Sequence, residues 1–225
     1  MGMQRSGTST LFHSFAKDPM LISFDETSDI AFSNYLLKPE IEIRPVLLQT
    51  PHTILLKSIS ETKYRSVKDV FKEYRDYDLH VIWIYRDPVN VFYSHVKKWG
   101  VWSLDLKRKD ENKFIKTWNS RNESVLDALP KYRSSIAVIK YEDLAKDSRY
   151  FWCLSNIMKL KGKYLFRTDS CNGRRHLSQE VMDKIDTGTL SVLSQLDQKR
   201  ILVEPSTQIG ILLGILNVFS RRTSF

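Results

Sequence analysis

At 225 residues, 42% apolar and 27% charged, the chain has the composition of one globular domain with a sizeable core, which excludes a disordered or fibrous protein. Its formal net charge of +9 points to an anionic partner, and Lys and Arg are scattered from Arg5 to Arg222 without a block, so local anion sites fit better than an arm for nucleic acid. Cys153 and Cys171, with no CxxC pair and no HExxH motif, indicate neither a disulfide framework nor a zinc site.

In chain order the first feature is GMQRSGTST, Gly2 to Thr10. Gly2-x4-Gly7 keeps the frame of a phosphate-cradling loop, but Thr8 stands where a nucleotide triphosphatase places its lysine. What remains is a set of backbone N–H groups at a helix N-terminus, the hydroxyls of Ser6, Thr8, Ser9 and Thr10, and the cation Arg5. That equipment suits an anion smaller than a triphosphate; the plain alternative is a Gly-Ser-Thr turn that caps a helix. MGMQRS also fits the N-myristoylation pattern, which would claim the same Gly2. A phosphate loop normally follows a strand and only Met1 precedes Gly2, so the feeding strand is expected upstream.

Four short runs read as strands: MLISF (20–24), HTILLKSI (52–59), LHVIWIY (79–85) and IAVIKY (136–141). Helical patterns alternate with them: STLFHSFAK after the loop, then 66–77, 87–99 and 110–129. Near-continuous apolar strands separated by helices predict an α/β fold with a central parallel sheet covered on both faces and ligands at the carboxyl ends of its strands. Beyond residue 142 the chain reads as mostly helical, near 143–160, 178–185, 190–201 and 207–219, with no linker to divide the 1–225 domain. The run IGILLGILNVF (209–219) is too short to span a bilayer and reads as a buried closing helix; with no signal peptide visible, a cytoplasmic protein without a membrane segment is expected.

The junction YRDPVNVFYSH (85–95) follows a strand and opens a helix: Asp87 can cap it, Pro88 suits its first position, and Arg86 brings a planar fork suited to phosphate. Together, RSGTST, Arg86 followed eight residues later by Ser94, and KYEDL (140–144) resemble the sulfotransferases that use 3′-phosphoadenosine 5′-phosphosulfate. The resemblance implies a P-loop NTPase-like α/β fold, a phosphosulfate held by Arg5 to Thr10, and a 3′-phosphate gripped by Arg86 and Ser94. Tyr141 would lie near the adenine or merely pack, and Arg174 and Arg175 in NGRRH would either reach the 3′-phosphate or be solvated. The family's Phe-Leu-Gly stretch after YEDL is not found here.

For the base, the cytosolic members use a histidine in a K-T-H triplet; here LLKSI keeps Lys57 but has Ile59 in the histidine's place. The tyrosylprotein type uses a glutamate twenty-one residues beyond the loop arginine, which falls on Glu26 within FDET. The resemblance therefore implies Glu26 as base, with Arg5 and Lys57 stabilising the departing oxygen. The alternative is an acidic turn in which Asp25 or Thr27 caps the next helix, and His13, His52 and His95 are reserve bases. No metal is implied. The partner is a small-molecule or peptide acceptor with a hydroxyl or amine, and Phe92, Tyr93, Trp99 and Trp102 either line an apolar pocket for it or, as aromatics at helical spacing more often do, belong to the core. The competing classes are a divergent P-loop nucleotide kinase and a non-catalytic nucleotide or nucleic-acid binding module.

Overall fold

The computed structural model describes residues 1–49, 52–99, 110–171 and 173–203. Its elements are α1 (Thr8–Phe15), β1 (Leu21–Phe24), a hairpin of β2 (Phe32–Ser33) and β3 (Leu36–Leu37), α2 (Glu40–Gln49), β4 (Thr53–Leu56), α3 (Val67–Glu73), β5 (Val81–Tyr85), α4 (Pro88–Trp99), α5 (Glu111–Tyr132), β6 (Ile136–Lys140), α6 (Tyr141–Lys146), α7 (Ser148–Met158) and α8 (Gln179–Lys199). The four predicted strands appear as β1, β4, β5 and β6. The closing helix expected at 207–219 lies outside the described residues, as does Trp102.

β5 has no polar side chain to turn outward and is buried along its whole length. Its alternation divides the core. Val81, Trp83 and Tyr85 face a cluster with Phe92, Phe114, Trp118 and Leu196 from α4, α5 and α8. Ile82 and Ile84 face a second cluster with Leu11, Phe15, Leu144 and Phe151 from α1, α6 and α7. Each such side chain contributes roughly 1.5–3 kcal/mol when fully buried. The indole N–H of Trp83 donates to Asn122 Oδ1 at 3.0 Å, and Asn122 Nδ2 donates to Trp118 O at 2.8 Å, so the polar atoms of this core are satisfied.

β5 pairs in parallel with β6, from Val81↔Ile136 to Tyr85↔Lys140, and β1 pairs in parallel with β4, from Leu21↔Thr53 to Phe24↔Leu56. Apart from the antiparallel β2–β3 hairpin, the described strands form two parallel pairs rather than the one central sheet expected. Met1–Gly2 runs along the other edge of β5. Ile84 has Ile139 on one edge and a parallel bridge to Gly2 on the other. The Met1 amine donates to Ile82 O at 2.7 Å and Ile84 N donates to Met1 O at 3.1 Å. Met1 also packs against the cluster of Phe32, Ile43, Val70 and Tyr74, as Phe24 and Leu56 do. The position of the feeding strand, expected upstream, is thus begun by Met1–Gly2 itself.

Two helical expectations change. The 143–160 pattern becomes α6 and α7, split at Asp147, whose side chain caps α7 by accepting from Arg149 N at 2.9 Å. The patterns at 178–185 and 190–201 merge into α8, which runs through Gly188. A Cβ at Gly188 would lie 2.8 Å from both Cδ1 and Cγ2 of Ile115, so the glycine sets how closely α8 approaches α5. Alanine would gain about 1 kcal/mol of helix propensity but lose about 1–3 kcal/mol to overpacking. Gly188→Ala is therefore expected to lower the urea midpoint; a raised midpoint would show that Ile115 yields freely.

Candidate functional site

The loop between Gly2 and α1 needs two unusual backbone conformations. Arg5 has φ 65° and Gly7 has φ 96°, both in the left-handed region that a side chain normally makes costly by about 1–2 kcal/mol. Arg5 bears that strain, and such strain concentrates at ligand sites. α1 begins directly after Gly7 with no side-chain cap and no acidic residue in its first turn, so its first amides and the positive end of its dipole are open to an anion. The Ser6 hydroxyl is buried and has no hydrogen-bond partner among the described residues, a loss of about 1–3 kcal/mol unless a ligand completes it.

Around this loop the carboxyl ends of β5 and β6 deliver their side chains. Arg86, directly after β5, donates from Nη1 to Arg5 O at 3.1 Å, and Arg5 Nε donates to Ser94 Oγ, on α4, at 2.9 Å. Tyr141, at the end of β6, is the wedge between the two arginine-bearing segments. Arg86 Cζ lies 4.9 Å from its ring centroid, and a Cβ on Gly7 would stand 2.2 Å from its Cδ2. The ring is only 5% exposed and packs on Phe166, so packing is the role its position displays. Burial, and next the neighbouring Arg86, lower the pKa of Arg5: two guanidinium groups are held side by side where an anion would relieve them.

Residues 5, 7, 86, 94 and 141, far apart in the chain, thus meet at one point. No family model, curated protein or solved structure matches the chain. What the site can do is therefore read from its own geometry.

Glu142, beside Tyr141, positions Arg86. Its Oε1 lies 3.8 Å from Arg86 Nε, and the carboxylate accepts from Asp87 N at 3.2 and 3.3 Å and from Asn90 Nδ2 at 3.2 Å. Burial raises the pKa of Glu142. Asn90 Oδ1 in turn accepts from Gly173 N at 2.8 Å, which docks the NGRRH segment on α4. There Arg174 bridges Asp87 at 2.8 Å and Asp186 at 2.7 and 2.8 Å, joining α4 to α8. Arg175 is exposed, and His176 stacks on Tyr93 at 4.8 Å. The structure commits Arg174 to two carboxylates and leaves Arg175 on the surface.

Glu26 and Lys57 stand at the ends of the other pair, β1 and β4. Glu26 Oε1 accepts from Ile59 N at 2.8 Å and Ser60 N at 2.9 Å, capping the 3-10 turn Ser60–Lys63. The turn that follows β4 is thus tied to the end of β1 through the Glu26 carboxylate. Lys57 Nζ lies 4.0 Å from Asp25 Oδ2 and 5.8 Å from the ring of Phe12, on α1. Asp25 Oδ1 accepts from Thr27 N at 3.0 Å and Thr27 Oγ1 at 2.6 Å, a local turn followed by β2 rather than by the helix it was expected to cap. His13 and His52 are exposed, whereas His95, next to Ser94, is buried.

Ser9 is exposed and Thr8 buried, while Thr10 O accepts from Ser14 Oγ at 2.8 Å. A cavity of about 490 Å³ lined by Phe71, Tyr74, Leu79 and Tyr132 lies at the amino ends of β5 and β6, away from the loop. Among the described residues no group of three or more His, Cys, Asp or Glu is placed to hold a metal, and no helix is long and apolar enough to cross a membrane. Sequence reasoning missed Glu142, although it sits inside the quoted YEDL.

Proposed function

We propose that the chain is a sulfotransferase of P-loop NTPase-like fold that moves a sulfuryl group from 3′-phosphoadenosine 5′-phosphosulfate to a hydroxyl or amine acceptor. One observation carries the reading: Arg5, Arg86 and Ser94 converge on a strained glycine loop that has Thr8 instead of the triphosphate-binding lysine. In this reading the first amides of α1 and the Ser6 hydroxyl receive the phosphosulfate, and Arg86, oriented by Glu142, takes the 3′-phosphate with Ser94. Arg5 and Lys57 offset charge on the oxygen that leaves sulfur, and Glu26 takes the proton of the acceptor. A charge stabiliser of this kind is worth roughly 10²–10³ in rate. A cytoplasmic location goes with the reading, which the two free thiols, Cys153 and Cys171, favour.

Adenosine 3′,5′-bisphosphate is expected to raise the melting temperature without magnesium, and by more than ATP with magnesium does. Arg86→Ala is expected to weaken it about ten- to a hundredfold while affecting adenosine 5′-phosphate little, since a charge-assisted bond is worth about 1.5–3 kcal/mol. Stronger stabilisation by ATP with magnesium points instead to a nucleotide kinase. Equal losses for both adenosine ligands would make Arg86 structural.

A further inference from the structure

β5 and β6 run in parallel, so their two ends define two poles of the molecule. At the carboxyl pole Arg86 and Tyr141 follow the strands and meet the glycine loop. At the amino pole Leu79 lies just before β5 and Ser135 just before β6, and both line the cavity of about 490 Å³. Each strand has five residues, which sets the cavity and the loop about 15 Å apart along the sheet. The volume falls within the roughly 300–1,000 Å³ of small-molecule sites.

The lining has an apolar floor and a charged rim. Phe71 and Tyr74 are buried, and Tyr77, Leu79 and Tyr132 are half-buried. Phe71, on α3, and Tyr132, at the end of α5, stack with centroids 4.2 Å apart and planes at 6°, so two elements brace one aromatic wall. The Tyr74 and Tyr77 hydroxyls donate to Lys38 O at 2.5 Å and to Glu40 Oε1 at 2.6 Å, partners outside the lining, which leaves ring carbon as what these tyrosines offer the cavity. On the rim, Lys72, Arg75 and Lys131 stand against one carboxylate, Asp78, whose Oδ1 lies 3.1 Å from His80 Nε2. Lys72 and Arg75 reach only the solvent-exposed Asp69 at 3.5 Å and Asp76 at 3.9 Å, pairs that water weakens. Among the described residues Lys131 makes no ion pair, and its Nζ lies 5.3 Å from the Tyr132 ring centroid, where wall and rim join.

We infer that this cavity is a second binding site, for a small aromatic acid whose ring lies against the Phe71–Tyr132 wall and whose anionic group meets Lys131, Lys72 and Arg75. Three cations against one carboxylate select an anion over a cation, and the net charge of +9 favours its approach. The aromatic floor rewards a ring that leaves water, which an inorganic anion cannot supply. A ligand here is too far from the glycine loop to receive a group from a donor held there, so the site is independent of the proposed reaction.

The probe is 2-naphthoate, titrated by calorimetry into the full chain, with 2-naphthamide as its uncharged counterpart and octanoate as an acid without a ring. The naphthoate is expected to bind about tenfold or more tighter than the amide, the scale of one charge-assisted bond, and tighter than octanoate. Combining Lys72→Gln, Arg75→Gln and Lys131→Gln, all at exposed positions, should erase the preference for the acid and leave amide binding as it was. Ser135→Phe puts a ring into the cavity and should abolish binding of both, with circular dichroism checking the fold; the triple variant decides the matter if Ser135→Phe does not fold. Excess adenosine 3′,5′-bisphosphate should leave the naphthoate affinity unchanged. Undetectable binding of 2-naphthoate, equal binding of acid and amide, or a preference that survives the triple substitution would overturn the assignment. So would octanoate binding as tightly as the naphthoate, or displacement by the bisphosphate, which would put the acid at the loop.

Discussion

Gly7→Ala is expected to disable the loop and to destabilise the chain markedly. At φ 96° an alanine carries left-handed strain, and its Cβ would lie 2.2 Å from Tyr141 Cδ2 and 2.6 Å from Cε2. The ring cannot step aside, because Phe166 packs at 5.7 Å and Arg86 lies over it. Strain and overpacking together come to about 2–6 kcal/mol, a fall of roughly 5–20 °C in Tm for a chain of this size. Binding of adenosine 3′,5′-bisphosphate is expected to vanish with it. The steric share can be isolated in a double-mutant cycle: Tyr141→Leu should recover part of the loss in the alanine variant although it destabilises the parent. If Gly7→Ala costs the same with and without the ring, the φ angle alone is responsible and the wedge is incidental.

The elements most legible in the sequence are those whose signal is local. The apolar run of β5, the Asp87-Pro88 start of α4, and the glycines and hydroxyls before α1 each declare themselves within a few residues, and all three were placed correctly. The β2–β3 hairpin was missed because its turn is made by Asn34 at φ 50° and Tyr35 at φ 64°, a pair of positive angles that usually announces itself with glycine at the second position. α2 was missed because Pro45 lies inside it. The two patterns at 178–185 and 190–201 form one helix through Gly188, whose place there is set by Ile115, a residue distant in the chain.

The same distinction holds at the site. Arg5, Arg86 and Ser94 could be named from spacing, and the hydrogen bonds from Arg86 to Arg5 O and from Arg5 to Ser94 bring them together. Glu142 gains its interest from burial and from its partners, which depend on packing between segments distant in sequence. Arg174 illustrates the converse. An arginine pair in a loop looks available for phosphate, but Asp87 and Asp186 converge on Arg174 only once α4 and α8 are side by side.

Glu26 separates structure from chemistry most sharply, because one oxygen of its carboxylate already serves two backbone amides. Glu26→Ala removes both bonds and leaves the amide of buried Ile59 without an acceptor, which should cost about 1–3 kcal/mol and loosen the turn that begins at Ser60. Glu26→Gln retains a carbonyl oxygen at the same place and should stay folded, with affinity for adenosine 3′,5′-bisphosphate near that of wild type. If Glu26 is the base, however, the glutamine enzyme should turn over a hydroxyl acceptor roughly 10²-fold more slowly or worse. The measurement is transfer from labelled donor to a panel of hydroxyl compounds, amines and tyrosine-containing peptides, with the melting temperature of each variant recorded alongside. Normal turnover by Glu26→Gln with a destabilised Glu26→Ala would make Glu26 a turn cap and nothing more. Loss of turnover in His52→Ala would then move the base to the residue just ahead of β4. Slow turnover in a well-folded Glu26→Gln is the one combination that a capping role cannot produce, since the cap survives the substitution and only the proton acceptor is lost.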